Sequence, residues 1–286
     1  MHDRLPHICG GLRRVSPHAG LTNRVYRLEA DKGAFFLRLP REETAGMIDR
    51  NAEAQNLKSA AEISVALPPL FCDPETGVLL TRAVDEVDCS PADMARQLGQ
   101  ALGQLHASGL TFSGRLEPDD VYRAQRHSLS ISPRCRQEML LLDSALEKMR
   151  TIPAFVSAKR LVPSHGDLSP GNCLVTAEKF WLIDWEYSGM SEPTWDLAYA
   201  VLEHGFSEEQ EAELLNAYCA SGAMDFRPSE EQLQIMKSKC DAVSAAWALE
   251  QLMKGRDEMT FLPFARARIE RALHRLDSVE RRRSSR

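Results

Sequence analysis

The sequence S-H-G-D-L-S-P-G-N-C-L-V at 164–175, followed after a short spacer by F-W-L-I-D-W-E-Y at 180–187, decides how the whole chain is read. His165, Asp167, Asn172, Asp184 and Glu186 all fall within it, set between apolar runs. Leu174 and Val175 before the spacer, and residues 180–183 after it, have the length and composition of two short strands of a hairpin. Asp184 stands where the second strand ends. Asp167 and Asn172 stand on the Gly/Pro-containing loop ahead of the first. A hairpin brings its open ends together, so Asp167, Asn172 and Asp184 are predicted to converge.

Such convergence suits phosphoryl transfer from ATP. That reaction asks little covalent work of a protein. It needs Mg2+ held against the phosphates and a carboxylate to receive or orient the proton of the attacking hydroxyl. Magnesium takes oxygen ligands and keeps its waters, so a carboxylate and a carboxamide make a reasonable protein share. His165 reads as a support for the loop through hydrogen bonds rather than as a reacting group.

The spacing H-x-D-x-x-x-x-N with a later strand-end Asp resembles the catalytic and metal loops of protein-kinase-like phosphotransferases. More narrowly, H-G-D-L-S-P-G-N with I-D-W-E-Y-S-G resembles the choline/ethanolamine kinase and aminoglycoside phosphotransferase group. A D-F-G motif would put Gly at 186; Glu186 stands there instead, as in the small-molecule branch. The resemblance implies an α+β, protein-kinase-like fold of two lobes. Residues 1–84 would form a small antiparallel-sheet lobe that binds nucleotide, and residues 85–286 a larger helical lobe with catalysis and acceptor binding. It further implies that Asp167 is the catalytic base or hydroxyl orienter, that Asn172 and Asp184 hold Mg2+, and that Glu186 reaches a second metal or the substrate.

Working toward the N-terminus, Val25–Glu29 and Phe35–Leu39 read as strands joined by a turn at Asp31-Lys32-Gly33, preceded by a turn-rich stretch from Ser16 to Asn23. Residues before Ser16 carry no clear pattern. The segment G-L-T-N-R-V-Y resembles the family's phosphate loop, which places Gly20, Thr22 and Asn23 near ATP. On the same resemblance Arg38, in F-L-R-L-P, is the strand cation that contacts phosphate; a guanidinium grips phosphate oxygens in a fork and never loses its charge. Residues 44–61 have helical character, and Glu53 on that helix is either the partner of Arg38, as the kinase-like architecture implies, or a solvated charge near Lys58. Strands follow at Leu70-Phe71-Cys72 and Val78–Arg82. The polar stretch from Ala83 to Ser90 reads as the hinge, where adenine takes backbone hydrogen bonds.

Beyond the hinge the chain is predicted to be helical. Ser90 caps a helix ending at Gly109, residues 114–132 read as irregular, and a helix runs from Pro133 to Arg150. After the hairpin comes a loop over 188–194, then Trp195-Asp196, where kinase-like folds use the Asp to hold the catalytic loop from behind. Ser207 and Ser229 each open a helix with a capping box, the first closing at Gly222 and the second near Lys254-Gly255. A last helix covers about 260–280, and the basic end 281–286 is predicted to fray.

The C-terminal W-A-L-E-Q-L-M-K-G-R-D-E-M-T-F-L-P-F-A-R-A-R also resembles choline/ethanolamine kinases, whose aromatics surround a cationic head group. Tyr187, Trp247, Phe261 and Phe264 would supply the rings, and Glu186 with Glu250 the carboxylates for a primary ammonium. Helix packing explains Trp247 and the phenylalanines equally well. A second Trp just before Trp247 is missing, so choline, ethanolamine, thiamine and an aminoglycoside all stay open as acceptors.

Composition limits the alternatives. The 286 residues suffice for two lobes, and the net charge of −6 disfavours nucleic acid and suits a cationic small molecule. No apolar run approaches a membrane span and no signal-peptide core is evident, while seven scattered cysteines without C-x-x-C fit reduced thiols, so a cytoplasmic protein is expected. S-H-G-D also occurs in metallophosphoesterases, but their D-x-H and G-N-H-[DE] motifs are absent. A catalytically inactive kinase-like binding module would call for replacement of Asp167, Asn172 or Asp184, and all three are present.

Overall fold

The turn at Asp31-Lys32-Gly33, with Gly33 at φ +119°, sets the N-terminal sheet. It joins β2 (Asn23–Ala30) to β3 (Gly33–Pro40) in antiparallel register, Ala30 facing Gly33 and Val25 facing Arg38. With β1 (Leu12–His18), β4 (Pro69–Asp73) and β5 (Val78–Arg82) they form a five-stranded antiparallel sheet in the order β1-β2-β3-β5-β4. The computed structural model describes residues 5–18, 23–41, 48–129, 135–151, 161–221 and 226–285. Gly20 and Thr22, the predicted helix start at Pro133 and the predicted helix end at Gly222 lie outside them.

One face of the sheet buries Leu28, Phe35, Leu37, Val78 and Leu80, with Cys9 of the short helix α1 (Leu5–Cys9) packed on them. Burying each large apolar side chain contributes about 1.5–3 kcal/mol. Arg38 is also buried, at 7% exposure, and it faces the rest of the molecule rather than solvent. Helix α2 (Arg50–Glu62) lies between β3 and β4 in sequence. Asp49 caps it, accepting from the backbone N–H of Asn51 and Ala52 at 3.1 and 3.0 Å. This capped start falls within the predicted 44–61, of which residues 44–47 lie outside the described residues.

The remaining chain is mostly helical: α3 (Pro91–Ala107), α4 (Pro118–Leu129), α5 (Arg136–Thr151), α6 (Pro193–Glu203), α7 (Glu208–Ala220), α8 (Glu230–Met253) and α9 (Glu258–Ser284). Ser90 caps α3, and Ser207 and Ser229 close complete capping boxes on α7 and α8. Two short sheets are set among the helices: β6 (Val162–Ser164) with β9 (Gly189–Ser191), and β7 (Cys173–Val175) with β8 (Phe180–Leu182). A single large apolar core unites this part, with Trp185 and Trp195 among its fully buried side chains. The expected class is therefore borne out: a small antiparallel sheet followed by a larger helical part.

Several expectations fail locally. Residues 12–18, read as patternless and turn-rich, form an edge strand; nearly every side chain in it is exposed and Pro17 sits within it, so no alternation marks it. Residues 118–129, expected to be irregular, form α4, whose Tyr122 and Leu129 enter the core against a mainly polar background. The loop expected at 188–194 contains β9 and the first turn of α6. The basic end does not fray after 280: α9 continues to Ser284, where Arg282 and Arg283 pair with Glu230 and Glu231 at the start of α8.

Candidate active site

The loop after β6 is fixed by one buried carboxylate. Asp196, on the first turn of α6, accepts from the backbone N–H of His165 at 2.8 Å and of Gly166 at 3.0 Å. His106 of α3 donates from Nε2 to the same carboxylate at 3.2 Å and accepts from the Tyr218 hydroxyl at Nδ1, 3.1 Å. Burial alone would raise the pKa of Asp196, but these N–H donors, His106 above all, hold it below the usual carboxylate range. Gly166 adopts φ +88°, and a Cβ there would meet the Tyr187 carbonyl oxygen at 2.4 Å. Only glycine lets the catalytic loop and the segment after β8 approach so closely.

His165 is fully buried and touches backbone on both sides. Its Nε2 donates to the Ile183 carbonyl at 2.9 Å, and its Nδ1 accepts from the Asp167 N–H at 3.2 Å. Burial lowers its pKa and keeps the ring neutral, as this tautomer requires. The imidazole therefore ties the loop carrying Asp167 to the strand end carrying Asp184.

Asp167 and Asn172 meet directly. Asn172 Nδ2 donates to Asp167 Oδ2 and to its carbonyl, both at 3.0 Å, which leaves the amide oxygen as the atom to offer a metal. The Ile183 N–H donates to the Asn172 carbonyl at 3.0 Å, bringing Asp184 to the same end of the hairpin. Asp184 stands at φ +63°, a left-handed position that Asp and Asn adopt more readily than most residues. Burial, with the charges of Glu203 and Glu186, pushes the Asp167 carboxyl up to about 6. Burial and Glu186 push Asp184 up to about 7, against the opposing pull of Arg38.

Strand β3 and helix α2 add two arginines and a further carboxylate. Arg38 Nη1 lies 2.5 Å from Glu53 Oε1 and 2.9 Å from Asp184 Oδ1. Burial opposes the Arg38 charge, yet Glu53 and Asp184 more than offset it and hold the guanidinium ionised. Arg50 Nη1 lies 2.7 Å from Glu53 Oε2 and 3.2 Å from Glu186 Oε2, and Asn23 Nδ2 donates to that same Glu186 oxygen at 2.9 Å. Glu53, Asp184 and Glu186 each offer a carboxylate oxygen within 4.8 Å of the others. An all-oxygen set of this charge suits a hard divalent cation such as Mg2+. Arg38 Nε is buried with no hydrogen-bond partner among the described residues, a donor that a phosphate oxygen would satisfy.

Sequence reasoning missed two residues here. Arg50 escaped because, although it lies within the helix predicted over 44–61 and three residues from Glu53, its contact with Glu186 is long-range and no local signal records it. Glu203, at the C-terminal end of α6, escaped because nothing local marks it, yet its charge is felt by Asp167. It pairs with Arg268 of α9 at 2.8 Å.

The expected aromatic residues stand after β8 and on α8 and α9. Tyr187 is 38% exposed beside the acidic cluster, and burial with the charges of Glu186 and Asp167 raises its phenol. Trp247 and Phe261 meet edge to face at 5.7 Å across α8 and α9. Phe264 lies under the Arg268 guanidinium at 4.7 Å. Burial raises the Glu250 carboxyl, with Lys254 opposing.

A family model described as the phosphotransferase enzyme family matches residues 14–232. Protein LicA of Haemophilus influenzae is 28% identical over 273 residues, covering 91% of this chain and 100% of the relative. The crystal structure of a choline/ethanolamine kinase family protein from Mesorhizobium loti superposes with a TM-score of 0.72 at 29% identity, over 93% of this chain and 92% of that one. Choline kinase LicA from Streptococcus pneumoniae shares the fold, with a TM-score of 0.78 at 22% identity over 96% of this chain and 97% of that one. With the hairpin, the carboxylate cluster and the two-lobed architecture in place, the match across most of the length establishes that this chain belongs to the phosphotransferase enzyme family.

Proposed function

We propose that the chain is an ATP- and Mg2+-dependent kinase that phosphorylates the hydroxyl of an amino-alcohol, choline or ethanolamine. The observation that carries the reading is the meeting of Asp167, Asn172 and Asp184 at one end of the β7–β8 hairpin, against the Arg38–Glu53 pair. Mg2+ would be held by Asp184 and Glu186, with Asn172 and Glu53 at hand, and would neutralise charge on the phosphates. Arg38 and Asn23 belong to the phosphate side, together with Gly20 and Thr22 on the family resemblance. Asp167 receives or orients the proton of the attacking hydroxyl. A carboxyl near 6 is mostly ionised at neutral pH and more basic than an ordinary aspartate, which suits that task. The Asn172 amide holds the Asp167 oxygen in place, and His165 and Asp196 position the loop from behind.

On the acceptor side Tyr187, Trp247, Phe261 and Phe264 supply rings, and Glu186 and Glu203 supply negative charge for a cationic head. The lobe boundary falls near residues 84–85. Just beyond it the Val87 N–H donates to the Val175 carbonyl at 2.9 Å, tying the hinge to the catalytic hairpin. A cytoplasmic location accords with the seven free cysteines.

The test is ADP release with Mg2+ and ATP over choline, ethanolamine, thiamine and several aminoglycosides, with Asp167→Asn as the blank. Turnover driven by choline or ethanolamine is expected. Turnover confined to thiamine or an aminoglycoside overturns the amino-alcohol reading while leaving the kinase. Binding of ATP without turnover of any acceptor would point to a binding module.

A further inference from the structure

Arg50 has no part in the roles assigned above, yet it stands inside the acidic cluster. Its side chain is 13% exposed, Nη1 bridges Glu53 and Glu186, and Nη2 donates to Asn23 Oδ1 at 3.3 Å. Arg38 closes the other side, on Glu53 and Asp184. Among the described residues, Glu53, Asp184 and Glu186 therefore share two guanidiniums. A lone divalent cation would have to sit beside both guanidiniums and draw Glu186 away from Arg50. Like charges brought that close in a region of low dielectric oppose binding. The same cation carried by a nucleoside triphosphate arrives with excess negative charge, which the two guanidiniums favour.

Arg50 is not free to step aside. Its helix is pinned one turn after Glu53 by Asn56, which is 1% exposed. Asn56 Nδ2 donates to the Ser113 carbonyl at 3.0 Å and to Ser188 Oγ at 3.0 Å, and its Oδ1 accepts from the Ser113 N–H at 2.8 Å. Helix α2 is thereby fixed to the segment that follows Glu186. Asn23, part of the predicted phosphate loop, donates to the same Glu186 oxygen that Arg50 contacts. Nucleotide loop, α2 and metal carboxylate thus meet at one atom.

We propose that Arg50 is a positioning residue that makes the site select the metal–nucleotide complex over the free cation, by holding Glu53 and Glu186 neutralised until the metal arrives with its phosphates. This rests on the nucleotide-dependent reading above. The test uses Mn2+ as the probe, followed by electron paramagnetic resonance, with the full chain as wild type, Arg50→Met, Arg50→Gln and Arg50→Lys, each with and without ADP. Wild type is expected to bind Mn2+ about tenfold or more tightly with ADP than without it. The Met and Gln variants should gain about tenfold for free Mn2+, and the Lys variant should behave as wild type.

Free Mn2+ binding that is equal in wild type and the neutral variants overturns the proposal, and so does an equal gain in the Lys variant. If neither neutral variant folds, Arg50→Ser takes their place with the same gain of about tenfold expected, and tight Mn2+ binding by wild type without nucleotide refutes the proposal on its own. Absence of Mn2+ binding from every protein even with ADP removes the nucleotide reading and this proposal together. ADP-dependent binding with unmoved variants removes the proposal alone.

Discussion

Asp184→Asn should stabilise the metal-free protein at alkaline pH. The Asp184 side chain is 29% exposed, and burial with the Glu186 charge lifts its carboxyl to about 7 despite the Arg38 ion pair. A raised native pKa means that the folded state binds more protons than the unfolded one between about pH 4 and pH 7. The contribution of Asp184 to stability is therefore complete below about pH 4 and is lost as the pH rises through about 7. A rise of about three units corresponds to about 4 kcal/mol at most. Solvent contact and the sharing of charge with Glu186 reduce this to about 2 kcal/mol. Asn is neutral at every pH, tolerates the left-handed backbone, and can still accept from Arg38. Wild type and variant should thus be nearly equal at pH 4, while at pH 8 the variant should melt roughly 4–8 °C higher. Thermal unfolding in EDTA at the two pH values measures the difference. A variant less stable than wild type at pH 8, or an offset independent of pH, would show that the Arg38 pair outweighs burial and would refute the reasoning. With Mg2+ and ATP added, only wild type should gain stability, since ligand bound to the folded state raises the midpoint.

Asp167→Asn should lower kcat by about 10²–10⁴-fold while calorimetry finds nucleotide affinity changed less than about threefold. In wild type, kcat/KM should fall below an apparent pKa near 6 as Asp167 takes up a proton, a profile measured with saturating Mg2+ and ATP. Asp196→Ala leaves the N–H groups of His165 and Gly166 and the His106 ring buried without their acceptor, and at about 1–3 kcal/mol each the loss in a urea titration should reach about 3 kcal/mol or more. Gly166→Ala forces a methyl against the Tyr187 carbonyl at a strained φ, so it should cost about 2 kcal/mol or more and depress kcat through the displaced loop.

What could be read from the residues followed from how local each signal was. The β7–β8 hairpin and the serine caps of α3, α7 and α8 are written within a few residues, and each appears within a residue or two of its predicted place. Strand β1 was invisible because an exposed edge strand has no buried face to impose alternation. Helix α4 was hidden because its buried side chains, Tyr122 and Leu129, are too few to stand out among charged neighbours. Its place is set by packing against α8, which no pattern within 114–132 records.

The candidate site divides along the same line. Asp167, Asn172, Asp184 and Glu186 share one motif, so their meeting followed from a turn and two strands. The Arg38–Asp184 pair spans 146 residues and the Asn23–Glu186 bond 163. Those contacts depend on the sheet being laid against the hairpin, and only an architecture borrowed by resemblance could suggest them beforehand. Arg50 shows what remains out of reach even then. Its position on α2 was decided by the Asp49 cap, its partner Glu186 lies 136 residues away, and its neighbours already had partners of their own. Position 50 lay inside the helix predicted over 44–61, and a spacing of three already set Arg50 and Glu53 on one face, so what hid the second guanidinium was its long-range partner Glu186, which no local pattern on the helix records.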